Sequence, residues 1–342
     1  MPDFVPGLEL AEAFYGEAVA PLLGEVRHSA ARLGGGSEVL GFDDARSTDH
    51  GWGPRLQVFV EPGEVSRVRS AVDDSLPDAF RGWPTRFGWD EVPVSHHVTV
   101  AALGDWLVGA LGFDPRAELS VRDWLTTPQQ LLLEVTGGAV FHDGLGELGA
   151  VRAALAWYPD DVWLWLLACQ WRRLDQEEPF VGRAAEVDDE LGSRVLAARL
   201  VRDVMRLCFL FERRYAPYGK WLGSAFRRLE AWGAIGPALR KALAATDYPA
   251  REAALVEALE GAAARHNALG VTRPVDATVR LFYERPFRVL GSGRFVEACL
   301  EEVSDPWLRG LPLIGAVDQL VDSTDVLSYP PVARRAGAIY DA

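Results

Sequence analysis

The spacing of apolar residues changes character once along this chain, near Ser120, and that change constrains the fold more than any other feature. Before it, two β-rich runs, Arg55 to Val60 and Ser95 to Ala101, alternate with helical patterns at Leu8 to Arg32 and Glu64 to Leu76. After it, long amphipathic segments follow one another: Pro128–Val135, Leu148–Trp157, Asp160–Asp175, Asp188–Phe211, Tyr215–Trp232, Pro237–Thr246 and Arg251–Leu269. A mixed start and a helical continuation predict an α+β chain, with an N-terminal mixed sheet and helices followed by an α-helical bundle. The expected divisions are 1–115, 120–270 and 271–342. Gly112 and Pro115 break the pattern at the link, and Asp305 to Ala342 is a Pro- and Gly-rich tail with a helical piece at Pro330–Tyr340.

In the first part, Leu8, Leu10, Ala13, Phe14, Ala18, Leu22, Leu23 and Val26 predict one helix reaching Arg32, closed by Gly34-Gly35-Gly36 as a C-cap run would close it. Glu38 to Phe42 reads as a short extended piece. Val271 to Tyr283 reads as an extended strand or loop.

Charge narrows the partners. With 49 Asp and Glu against 35 Lys and Arg the net charge is −14, so a general nucleic-acid or anionic-membrane binder is not expected. The start, Met1-Pro2-Asp3-Phe4-Val5, has neither the basic nor the apolar region of a signal peptide, which predicts a cytoplasmic protein. The apolar run Val162 to Trp171 is half the roughly 20 residues needed to cross a bilayer and is flanked by Asp160, Asp161, Arg172 and Arg173. It predicts a buried helix. Cys169, Cys208 and Cys299 have neither disulfide nor zinc spacing and are expected as reduced core thiols.

The chemistry of the first part gathers at Gly34-Gly35-Gly36-Ser37, followed twelve residues after Ser37 by Asp49 in Ser47-Thr48-Asp49-His50-Gly51-Trp52-Gly53-Pro54-Arg55. A Gly-Ser turn offers backbone N–H groups to phosphate oxygens with no Cβ in the way. Carboxylates at alternate positions of a strand point the same way and can share a metal.

These residues resemble the motif of polymerase-β-like nucleotidyltransferases, in which Gly-Ser is followed by paired acids on a strand and a third acid on a later strand. The longer string around Asp49, with Gln176 to Arg183 and Glu212 to Leu222, resembles a bacterial nucleotidyltransferase-like family of unknown function over almost the whole chain. The resemblance implies an N-terminal nucleotidyltransferase fold with a C-terminal helical domain, as in aminoglycoside nucleotidyltransferases. It makes Asp49 the catalytic and metal-binding acid for magnesium, and Gly36, Ser37 and Ser47 nucleotide-binding residues. Two positions depart from the pattern: Gly51 stands where the second acid belongs, and Thr99 where the third does.

In the second part, Arg199, Arg202 and Arg206 recur at i, i+3 and i+7 and form a basic stripe. A triphosphate would suit it; salt bridges such as Arg199 with Asp203 are the plain alternative. The resemblance implies that Lys220, flanked by Tyr215 and Tyr218, also reaches the phosphates. Glu177 and Glu178 end an aromatic-rich helix before Pro179 and are candidates for binding a substrate amine, or a solvated helix end. His96-His97 and His142-Asp143 lack a third metal ligand and read as loop or core residues.

The expected function is transfer of a nucleotide from an NTP to a hydroxyl of a small molecule, with magnesium. The alternative is a catalytically degenerate nucleotide-binding or interaction protein, for which a partner protein replaces an acceptor.

Overall fold

Strands His28–Arg32 (β1), Arg55–Val60 (β2), Arg86–Trp89 (β3), Val92–Ala101 (β4) and Ala139–Asp143 (β5) form one sheet in a computed structural model that describes residues 2–90 and 92–341. Met1, Glu91 and Ala342 lie outside it, so the outermost residues of the expected divisions are not described. The strand order is β3–β4–β2–β1–β5. β1 runs antiparallel to both neighbours, and β2 runs parallel to β4 with Arg55 opposite His97 and Gln57 opposite Thr99.

Alternation along β2 and β4 gives the sheet two different faces. Leu56, Val58, Val60, Val98 and Val100 turn to one side, where they pack with Leu10 and Phe14 of helix α1 (Gly7–Phe14) and Val68 and Val72 of helix α2 (Val65–Ser75). Arg55, Gln57 and Phe59 on β2, with His97 and Thr99 on β4, belong to the other. Phe59 meets the edge of Trp106, on helix α3 (Leu103–Leu111), at 5.4 Å.

The helix expected over Leu8 to Arg32 is corrected. After α1, a π-helical turn (Tyr15–Val19) and the short helix Ala20–Leu23, it stops at Gly24, whose φ is 54°. His28–Arg32 is a strand instead. Ser29, Ala30 and Ala31 are fully buried in the middle of the sheet, where backbone pairing on both sides outweighs helical spacing. Glu38 to Phe42 is not extended either: Glu38–Leu40 is a 3-10 turn closed by Gly41 in the left-handed region.

Internal contacts divide the chain into two units, Met1–Leu119 with Gln130–Ala156, and Ser120–Gln129 with Trp157–Ala342. The expected boundary near Ser120 therefore needs revision, because β5 lies beyond it and is hydrogen-bonded to β1. Helices α4 (Gln129–Thr136) and α5 (Leu148–Ala154) flank that strand in sequence.

The second unit is helical. Its longest members are α6 (Asp160–Glu186) and α7 (Glu190–Phe211), followed by Gly219–Phe226, Ala231–Ala244, Tyr248–Ala268 and Gly293–Glu302. The apolar run of α6 is core, with Trp165 and Trp171 fully buried. Trp171 stacks on Phe295 at 4.4 Å and donates its Nε1–H to Nδ1 of the buried His266. Cys169, Cys208 and Cys299 are buried free thiols, as expected. Among the described residues no helix is long and apolar enough to cross a membrane.

The helix end expected at Glu177-Glu178 is also corrected. α6 continues through Pro179 to Glu186. Proline removes one amide donor, and the helix is anchored beside it because Glu178 accepts the backbone N–H groups of Leu290 and Ser292 at 2.7 and 2.9 Å. Tyr215–Trp232 is likewise not one helix but a loop followed by Gly219–Phe226 and the start of Ala231–Ala244.

Candidate functional site

The glycine loop leaves the end of β1 and is held from several sides. Gln57 pins the residue before it, its Oε1 accepting Leu33 N at 2.8 Å and its Nε2 donating to Leu33 O at 3.2 Å. Gly34 N donates to the Glu134 carbonyl on α4 at 2.7 Å. Gly35 is exposed, and among the described residues nothing accepts from the Gly35 and Gly36 amides. Gly36 has φ 143°, and a Cβ there would stand 2.5 to 2.7 Å from Arg55 Nη2, Glu38 Oε2 and Arg32 Nη2. The glycine is required by that close approach as much as by the turn.

Beneath the loop lies a charge cluster that no motif announces. One oxygen of Glu38, Oε1, accepts from Arg32 Nε and Nη2 at 2.9 and 2.7 Å and from Arg55 Nε and Nη2 at 2.8 and 2.6 Å. Its other oxygen, Oε2, is buried without a partner among the described residues. Burial pushes the Glu38 carboxyl up, but the two guanidiniums outweigh it and hold the group below its ordinary range. Arg32 is lowered to about 10, first by burial and then by Arg55, against the pull of Glu38. Glu134, close to Gly35, is pushed up by burial and takes the side-chain amide of Gln130 at 2.9 Å.

Gly36, Ser37 and Ser47 come together as expected, since Ser37 Oγ donates to Ser47 Oγ at 3.3 Å. Asp49 does not join them on a strand. It ends the 3-10 turn Ala45–Asp49, six residues before β2 begins, and its exposed carboxylate takes His50 Nδ1 at 2.6 Å. Asp43 receives Gly7 N and Trp52 Nε1, and Asp44 caps the 3-10 turn. Gly51 has φ 59° and abuts the Trp89 ring, so a side chain at the second-acid position would be strained. Thr99 is exposed beside the buried Gln57. Magnesium prefers several oxygen ligands in near-octahedral geometry. Among the described residues no group of three or more Asp, Glu, His or Cys side chains could hold a metal ion. The magnesium expected at Asp49 does not fit the donors present.

In the helical unit two separate expectations meet, because Arg199 Nη2 donates to Glu177 Oε1 at 2.6 Å. Arg202 pairs with Asp322 at 3.1 Å, and Arg206 donates to the Asp318 carbonyl. Asp203 is not the partner of Arg199; it is buried and pairs with Arg173 at 3.2 Å. Glu178, expected to bind a substrate, has both oxygens on the 290–292 backbone, and burial pushes its carboxyl up to about 7. Its role is to hold that turn. Lys220 lies exposed over the ring of Trp221 at 5.0 Å, on the helix that follows Tyr218. Neither Lys220 nor Tyr218 lines the space around Arg199 and Arg202.

Comparison with known proteins adds one span. Residues 124–222 match the family described as "Domain of unknown function (DUF4037)". The match covers less than a third of the chain and includes Glu177, Arg199, Arg202 and Lys220, while Gly36, Ser37 and Asp49 lie outside it. No curated protein and no solved structure matches the chain.

Sequence reasoning missed Arg32, Glu38, Arg55 and Gln57. The one available signal was alternation on β2, which puts Arg55 and Gln57 on the face opposite Leu56 and Val58.

Proposed function

We propose that the protein binds a nucleotide or a related phosphate compound at the Gly34–Ser37 loop, and that binding rather than metal-dependent transfer is its role. The observation that carries this reading is the charge beneath the loop: Arg32 and Arg55 share a single carboxylate, Glu38. The two guanidiniums converge where the Gly35 and Gly36 amides are open, and guanidinium and amide donors both attract phosphate oxygens.

Transfer asks for more than a phosphate cradle. It relies on metals bridging phosphate oxygens and on a group that activates the attacking hydroxyl. Asp49 stands exposed with His50, and the other nearby acids are engaged with backbone, tryptophan or arginine. That distribution supports a binding role.

A thermal-shift series with the four NTPs, with and without magnesium, tests the proposal. The expected result is stabilisation by at least one NTP that does not require the metal and is lost in Arg55→Ala. Absence of a shift with every NTP sinks it. Magnesium-dependent NTP turnover abolished by Asp49→Asn restores the transfer reading.

A further inference from the structure

The helical unit contains a pocket of about 230 Å3 that belongs to neither the glycine loop nor its charge cluster. Its walls come from Arg173 on α6, from Arg199, Arg202, Asp203 and Arg206 on α7, and from the segment 318–322. Four guanidiniums line it with three carboxylates, those of Asp203, Asp318 and Asp322, and a fourth carboxylate, Glu177, pairs with Arg199 from outside the lining. The carboxylates are engaged. Asp203 takes Arg173 Nε and Nη2 and also Gln170 Nε2, Asp318 accepts the Gln129 amide at 3.0 Å, and Asp322 takes Arg202.

The arginines are far from saturated. A guanidinium has five N–H donors. Among the described residues, Arg199 donates to Glu177 with Nη2 alone, Arg202 to Asp322 with Nη1 alone, and Arg206 to the Asp318 carbonyl with Nη1. The Nε of Arg206 is buried with no acceptor among the described residues. A buried charged donor without an acceptor is costly.

Size selects the ligand. At ~30 Å3 per water, 230 Å3 holds between seven and eight waters. That is below the roughly 300–1,000 Å3 of sites that enclose a drug-sized ligand. One tetrahedral oxyanion with a small organic group fits within it. Leu320 and Val321 supply the apolar part of the lining. The planar forks of arginine match pairs of phosphate oxygens.

We propose that this pocket is a second site, taking a phosphate monoester of a small molecule held by Arg199, Arg202 and Arg206. It is independent of the glycine-loop reading. Isothermal titration of the full chain with glycerol phosphate, inorganic phosphate and glycerol tests it. Glycerol phosphate should bind, inorganic phosphate more weakly, and glycerol not at all. Arg202→Ala should weaken glycerol phosphate binding about tenfold to a hundredfold, the range expected for a charge-assisted hydrogen bond. Arg206→Met should weaken it further. If Arg206→Met does not fold, Arg202→Ala decides alone, since that side chain is partly exposed and among the described residues pairs only with Asp322.

No binding of either phosphate compound overturns the proposal. So does binding that Arg202→Ala and Arg199→Ala leave unchanged. Tighter binding of inorganic phosphate than of the ester keeps an oxyanion in the pocket but overturns the monoester. The glycine-loop reading turns on NTP and Arg55→Ala, so either proposal can fail while the other stands.

Discussion

The molecule holds two arginine clusters that treat charge in opposite ways. In the sheet unit, Arg32 and Arg55 converge on one oxygen of Glu38, with side-chain exposures of 3, 14 and 2 %. In the helical unit, Arg199 and Arg202 are 55 and 37 % exposed, and each has a single carboxylate to itself. The first cluster is the inner lining of a loop; the second is the rim of a space. The Gly-Ser motif marked the loop above the first cluster but none of the charges in it, and only a three-residue stripe marked the second. A recognisable loop thus identified where backbone is exposed, while the spacing of unremarkable arginines identified where a cavity is.

The largest test of this contrast is Glu38→Ala. It leaves two buried guanidiniums unpaired and should cost about 3–5 kcal/mol of folding stability, measured by urea denaturation. A loss below about 1 kcal/mol would mean that the cluster is not a structural keystone of the loop.

Next comes the pH dependence of the open cluster. Burial raises the Asp318 carboxyl from its ordinary 3.8 to about 6. A carboxyl raised on folding favours the native state while protonated, so its contribution is lost as pH climbs from about 4 through 6. Asp318→Asn has no such loss. Its stability relative to wild type should therefore rise by about 2 kcal/mol between pH 4 and pH 7, and a difference that does not change with pH would refute the assignment. Taking the difference removes His266, which burial lowers to about 4 and which weakens the fold in the opposite direction as pH falls from 6.5 to 4.

Gly36→Ala ranks third. Its Cβ meets the cluster at 2.5 to 2.7 Å and its φ is 143°, so a loss of about 1–3 kcal/mol in the same denaturation experiment is expected. Glu177→Ala ranks last, at under about 1 kcal/mol, because Arg199 is more than half exposed and water screens the pair. If Glu177→Ala cost as much as Glu38→Ala, the two clusters would not differ in the way described.

Long-period signals were the most legible in the sequence. β2, α2 and α7 carry apolar residues at the spacing of one buried face, and the structure returns them within a few residues. β1 was hidden because His-Ser-Ala-Ala-Arg has no alternation when all five residues are buried. β5 was hidden because it is only five residues long, lies between two helical patterns and needs β1 as its partner. Of the site residues, Gly36, Ser37 and Ser47 were legible as neighbours because the loop joining them is short. The fate of Glu178 was not, since its oxygens meet amides more than a hundred residues away. The same distance in sequence concealed Asp318 and Asp322 as the far wall of the arginine pocket.

One consequence of the sheet order concerns synthesis. β1 lies between β2 and β5, yet β5 ends only at Asp143, after the chain has left the sheet unit at Leu119 and returned at Gln130. While the ribosome has made only the first 119 residues, one side of β1 has no strand to pair with. An open strand edge recruits other strands. The sheet therefore completes itself late, and a chain cut at the apparent boundary near Ser120 would carry that open edge permanently and aggregate.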